Sequence, residues 1–389
     1  GKKAPRGTMH ELMLYLDHAA TTPMRPEVWE AMAPHAGEVY GNASGSHSAA
    51  RAAKNALEQA REEAAALLGA KPMEIIFTGG GTEADNLAVQ GVALAGGRRG
   101  GVVTSAIEHE AVLETAEFLK SLGCRVELVG VSDRGVIDPD AVAEVVSDET
   151  VIVSIMAANN ETGVVQPVKL AALAARDVNP RVVVHSDAVQ SYISQPVDVD
   201  DMSVDLLSLA AHKFGGPKGV GLLYVRSGVG LEPVLHGGGQ ELGRRSGTHN
   251  VMGAVGMVRA MQVTVDDRAR FLTDVTEARR RFEHELSAAV PDLEVTGPLD
   301  GRLPQHSHLR VPGIRNETLL VRMDRRGLAV SAGSSCQSGA ATVSHVLSAM
   351  GFDDERARQC LRFSFGWTTK PEDGDRAAAL VVEAVEGLR

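Results

Sequence analysis

Four short segments of this chain bring together residue types that can do chemistry. Gly79-Gly80-Gly81-Thr82-Glu83 follows an apolar run and precedes a helical pattern. A glycine turn opening a helix presents free backbone N–H groups and the positive end of the helix dipole, which together hold an anion such as phosphate. Gly81 and Thr82 are the candidates there, although a plain turn reads equally well, and the spacing is neither a dinucleotide fingerprint nor a P-loop. His185-Ser186-Asp187-Ala188-Val189-Gln190 closes a second apolar run. A carboxylate in that place either faces a ligand's protonated ring nitrogen or caps a helix. Ala211-His212-Lys213-Phe214-Gly215-Gly216-Pro217 closes a third. A partly desolvated lysine is an amine nucleophile, whereas most lysines are solvated surface groups. The fourth segment, 331–341, is dominated by Ser, Gly and Ala around Cys336 and has no apolar periodicity. It is expected to be a mobile loop with a reactive thiol, while Cys124 and Cys360 lie in or beside apolar stretches and suit packing.

Taken in chain order, a phosphate cradle, an acid for a pyridinium nitrogen and an imine-forming lysine are the parts a pyridoxal-phosphate site requires. The elements between them fit that use. Helix-like segments over 55–68, 85–95 and 110–121 alternate with apolar runs over 74–78, 101–105, 125–129, 151–156, 182–185, 206–210 and 220–225. Continuous apolar strands between helices predict an α/β fold with a largely parallel sheet, whose ligands bind at the carboxyl ends of the strands. From about 266 the rhythm changes to a long charged helix (266–290), short strands at 307–311 and 328–331, and a last helix over 371–386. That predicts a smaller α+β unit, which a first strand over 13–17 joins.

Composition bounds the rest. A chain of 389 residues with 44% hydrophobic and 23% charged residues is large enough for two domains. A net charge of -11 disfavours direct binding to nucleic acid or to a membrane surface, and no apolar run is long enough to span a bilayer. The basic residues 1–8 do not read as a signal peptide; they are expected to be disordered or an appended remnant before a natural start at Met9. Three widely spaced cysteines suit a reducing, cytoplasmic setting, and no metal site is expected.

The ordered motifs resemble the cysteine desulfurases of the class V aminotransferase family, which are fold type I pyridoxal-phosphate enzymes. The resemblance runs from about Tyr15 to the end of the chain. It is carried by Tyr15-Leu16-Asp17-His18-Ala19-Ala20-Thr21-Thr22-Pro23, Tyr40-Gly41-Asn42, Ile107-Glu108-His109 and Ala158-Asn159-Asn160-Glu161-Thr162-Gly163. The Asp187 and Lys213 segments follow, then Gly237-Gly238-Gly239-Gln240-Glu241, Arg245-Ser246-Gly247-Thr248 and Ser331-Ala332-Gly333-Ser334-Ser335-Cys336.

The resemblance implies a large domain over 24–262 with a mostly parallel seven-stranded sheet, and a small domain from 9–23 and 263–389. It implies that Lys213 holds the cofactor and shuttles protons, that Asp187 keeps the ring nitrogen protonated, and that Gln190 bonds the ring oxygen. Gly81, Thr82 and His212 grip the phosphate, Thr248 reaches the phosphate of a second subunit in a homodimer, and His109 stacks on the ring as an acid–base. Asn160 and Arg362 hold the substrate carboxylate. Cys336 takes sulfur from L-cysteine as a persulfide, leaving L-alanine, and delivers it to an acceptor protein in iron–sulfur assembly, tRNA thiolation or DNA modification. The length of the segment after Cys336 matches a subgroup that prefers cysteine to selenocysteine. Ala210 departs from the family, whose members commonly carry a phosphate-binding serine there. Ser208 lies two strand residues, or roughly 6.6 Å, away from that place.

Two other readings remain open from the residues. One is a selenocysteine lyase or aminotransferase on the same fold, which does not need Cys336. The other is a catalytically silent scaffold, which does not need Lys213, Asp187 or His109.

Overall fold

A computed structural model describes residues 13–97, 99–333 and 343–389. Its centre is a seven-stranded sheet built from β2 (Ile75–Thr78), β3 (Gly101–Ser105), β4 (Val126–Val129), β5 (Thr150–Ser154), β6 (Val183–Asp187), β7 (Leu206–Ala210) and β8 (Gly221–Val225), in the spatial order β2-β8-β7-β6-β5-β3-β4. Only β8 runs against its neighbours. β7, β6, β5, β3 and β4 pair in parallel. Most of these strands are buried along their whole length, as in β7 and β8, because helices cover both faces.

The carboxyl ends of β2, β3, β5, β6 and β7 open on one edge. They deliver Gly79, the Ile107–His109 stretch, the Ala158–Gly163 turn, Asp187 and Lys213 to that edge. β1 (Leu14–Tyr15) pairs in parallel with β11 (Leu328–Ala329), and β10 (His306–Arg310) lies between β9 (Glu294–Val295) and β12 (Cys360–Ser364). These smaller sheets bring Arg362 and Ser331 to the same edge, because the two residues pair through both backbone bonds, at 3.2 and 2.7 Å.

Three helix starts differ from the sequence expectation, the first at Ser48 rather than 55. The helix after the glycine turn begins at Gly81 rather than 85, so Gly81 and Thr82 occupy its first turn. The long helix runs Val251–Ala289 rather than from 266, and Asn250 caps it by accepting from the Gly253 amide at 2.9 Å. Its first turns carry Gly253 and Gly256, which weaken helical patterning. Gly256 is small for a reason: a Cβ there would lie 2.4 Å from the Met32 sulfur. The helix packs against both Ser48–Leu68 and Glu372–Glu386 and so ties the central sheet to the smaller ones. Among the described residues no helix is long and apolar enough to cross a membrane.

Candidate active site

Two adjoining cavities lie on the sheet's carboxyl edge. The first, about 650 Å³, is lined by Gly79, Gly80, Gly81, Thr82, His212 and Thr21, with Asn86, Lys218, Val234 and Leu235 around them. The first-turn amides of a helix have no intrahelical acceptor, so this floor presents N–H donors and a positive dipole end. Glu83 would oppose an anion there, yet its carboxylate is occupied. It accepts from the Gly79 amide at 2.7 Å and takes a two-pronged ion pair from Arg245 at 2.6 and 3.0 Å. Arg245 is therefore held by Glu83.

His212 Nδ1 lies 3.1 Å from the Thr21 hydroxyl. Burial and the neighbouring Lys213 push its imidazolium down to about 4, so it is neutral at physiological pH. Ala210, the last residue of β7, lies at this floor: a Cβ on Gly81 would be 3.3 Å from its own. Ser208 is engaged elsewhere, with its hydroxyl 2.9 Å from His185 Nε2 beneath the site. On its other side His185 meets the Ser154 hydroxyl at 2.8 Å.

The second cavity, about 290 Å³, is lined by Asp17, Ala19, Ala20, His109, Asn160, Lys213 and Arg362, with Ser331 and Gly333 at its edge. Lys213 Nζ donates to the carbonyls of Ala19 at 2.5 Å and Ala20 at 3.0 Å. Burial lowers its pKa to about 8, Arg362's charge adds to the fall, and Asp187 and Asp17 oppose it. Asp187 is buried and accepts from the Val189 amide at 2.8 Å. Burial raises its carboxyl, while His109, that amide and Lys213 pull the other way. A cationic ring nitrogen beside Asp187 would stabilise its anion.

His109 caps the helix Glu110–Ser121: its Nδ1 accepts from the Ala111 amide at 3.1 Å. In the neutral ring that bond puts the proton on Nε2. Burial lowers the His109 imidazolium, so the neutral form dominates. Arg362 is buried; one Nη donates to the Asn160 carbonyl at 2.9 Å and the other to Asp17 Oδ1 at 2.7 Å. Its Nε and Asn160 Oδ1 have no hydrogen-bond partner among the described residues.

The structure thus gathers Gly81, Thr82, His212, Lys213, Asp187, His109, Asn160 and Arg362 on one edge. Gln190 is close by, with its amide donating to Ala19 O at 2.9 Å. Thr248 is exposed and does not line its own chain's cradle. Cys336 lies outside the described residues, three positions beyond Gly333. Cys124 and Cys360 are buried free thiols, and burial pushes Cys360 up to about 12. Residue-level reasoning passed over Asp17, Thr21 and the carbonyls of Ala19 and Ala20. The Tyr15–Pro23 motif contains all of them, but nothing in its spacing separates the lining residues from the framework.

A donor floor for a phosphate, a half-buried lysine, a buried acid and a neutral histidine suit pyridoxal phosphate. The comparisons agree. The family model for class V aminotransferases matches residues 14–376. The chain is 41% identical over 377 residues to the cysteine desulfurase IscS of Dictyoglomus turgidum, spanning 97% of this chain and 95% of that protein. A solved NifS-like protein superposes with a TM-score of 0.90 at 36% identity, over 96% of this chain and all of that one. A solved SspA in complex with cysteine superposes with a TM-score of 0.79 at 35% identity, over 90% of this chain and 98% of that one.

Proposed function

This chain belongs to the class V aminotransferase family and is a pyridoxal-phosphate-dependent cysteine desulfurase, and from that premise we propose that Cys336 receives the substrate's sulfur. One observation carries the proposal. Gly333 lines the cavity that holds Lys213, His109, Asn160 and Arg362, and Cys336 follows it by three residues.

Bound pyridoxal phosphate supplies an electron sink beside the substrate's α-carbon. Gly81, Thr82 and neutral His212 hold its phosphate, and Asp187 keeps the ring nitrogen protonated. Asn160 and Arg362 orient the carboxylate of L-cysteine, with Arg362 sharing its fork between the substrate and Asp17. Lys213 and His109 are the proton carriers. With a pKa of about 8 the Lys213 amine is available as a base near neutrality, and the His109 Nε2–H faces the same cavity as a donor. The Cys336 thiolate attacks the substrate sulfur. The S–S bond forms as the C–S bond breaks, the carbon keeps the bonding pair and takes a proton, and L-alanine leaves. Cysteine plus thiol becomes alanine plus persulfide, with no outside oxidant.

The remaining parts of the proposal are structural. Residues 24–262 form the cofactor-binding domain, and residues 9–23 with 263–389 form the one bearing Cys336. The active unit is a homodimer, in which exposed Thr248 completes the partner's cradle. An acceptor protein takes the outer sulfur in a reducing, cytoplasmic compartment, which free Cys124 and Cys360 suit. Replacing Cys336 with Ser tests the core of this. The variant should still change colour on binding L-cysteine yet release little alanine. Undiminished alanine release would favour a lyase that needs no thiol.

A further inference from the structure

The Asn159–Gly163 turn faces two ways. Asn159 shapes it by accepting from the amides of Glu161 and Thr162, each at 2.9 Å, and by donating to Ile107 O at 2.9 Å. Asn160 then enters the substrate cavity, while Glu161 is fully buried on the other side. There its carboxylate meets Ser344 and lies close to Gly333, both distant from it in sequence. The Ser344 hydroxyl donates to Glu161 Oε2 at 2.6 Å. Gly333 lies so close that a Cβ on it would be 2.8 Å from the same oxygen. Gly333 also has φ +117°, a backbone that L side chains avoid, so the conformation calls for glycine.

These two residues flank the segment that carries Cys336. The first flank is held again where Ser331 pairs with Arg362 and its hydroxyl meets the Gly333 amide at 3.1 Å. The second is held again where His345 Nε2 lies 2.9 Å from the Glu108 carbonyl, beside His109. A buried carboxylate is costly unless it is bonded, so its presence at this junction calls for a use.

We propose that Glu161 is a positioning residue that joins Gly333 to Ser344 and so fixes, relative to the substrate cavity, both roots of the segment bearing the nucleophile. The inference rests on Cys336 as the sulfur acceptor. It assigns Glu161 no proton transfer and no contact with substrate. Its role is to hold the thiol's starting points, and misplacement of about 1 Å in such a site costs on the order of a hundredfold in rate.

The test uses the full-length holoenzyme. Glu161→Ala should keep the cofactor's visible absorbance and bind L-cysteine within about twofold of wild type, yet form the one-sulfur adduct on Cys336 about ten- to a hundredfold more slowly in a single turnover. Glu161→Gln keeps an acceptor for the Ser344 hydroxyl and should recover most of that rate. Alkylation of Cys336 by a small reagent in solution should stay within about twofold, because the thiol's own reactivity is untouched. Wild-type adduct formation in Glu161→Ala, a Gln variant as slow as Ala, or an equal fall in alkylation would each overturn the proposal. If Glu161→Ala does not fold, Ser344→Ala decides, with several-fold slower adduct formation expected at unchanged circular dichroism and a wild-type rate refuting. Sulfur on Cys124 or Cys360 in the wild type would instead sink the Cys336 reading itself.

Discussion

The lowered pKa of Lys213 makes a prediction that can be worked through in numbers. An ordinary lysine titrates at 10.5, whereas burial and the nearby Arg362 charge bring this one to about 8. At pH 7.5 about a quarter of a group with pKa 8 is free amine, against about one in a thousand for the ordinary lysine. Only the free amine attacks an aldehyde, so the site gains about two hundredfold in reactive lysine at that pH. The sign follows directly. Apoenzyme given pyridoxal phosphate should capture it about tenfold faster for each pH unit up to about 8, with the rate levelling above. Replacing Arg362 with Gln removes a positive neighbour, so the plateau should move to higher pH. Stopped-flow absorbance from pH 6.5 to 10 reads both. A rate that still climbs tenfold per unit above pH 9, or a plateau unmoved in the Gln variant, would refute the electrostatic account.

Three further outcomes are expected. Ala210→Ser adds a hydroxyl at the phosphate floor, and one bond to a charged group of about 1.5 kcal/mol should tighten cofactor binding about tenfold; unchanged or weaker binding in an apoenzyme titration would refute this. Thr248→Ala should weaken cofactor retention on dialysis although Thr248 does not line its own cradle, and an experimental structure placing it nearer its own chain's cofactor would end the shared-site idea. Arg362→Lys keeps the charge but loses the fork, so KM for L-cysteine should rise about tenfold or more, with less effect on kcat. A KM left unchanged would remove Arg362 from carboxylate binding.

The strands of the large sheet were legible because burial on both faces makes them short apolar runs, and the order of cradle, acid and lysine followed from their places at strand ends. The long helix was read from its charged second half alone, because Gly253 and Gly256 serve close packing rather than helical propensity. Backbone groups were invisible: the carbonyls of Ala19 and Ala20 hold Lys213, and no side chain announces them. Nor could sequence spacing show that Glu161 meets Ser344, 183 residues away, or that Asp17 occupies Arg362 from the other end of the chain. Such contacts are set by how the sheets come together.

The central claim is that Cys336, and no other thiol, takes the sulfur. Holoenzyme incubated briefly with L-cysteine, alkylated and mapped by mass spectrometry tests it most directly. The account predicts one added sulfur on the peptide bearing Cys336, none in Cys336→Ser, and none on Cys124 or Cys360, whose thiols are buried. An added sulfur on either buried cysteine, or full alanine production with no sulfur held on the protein, would contradict it.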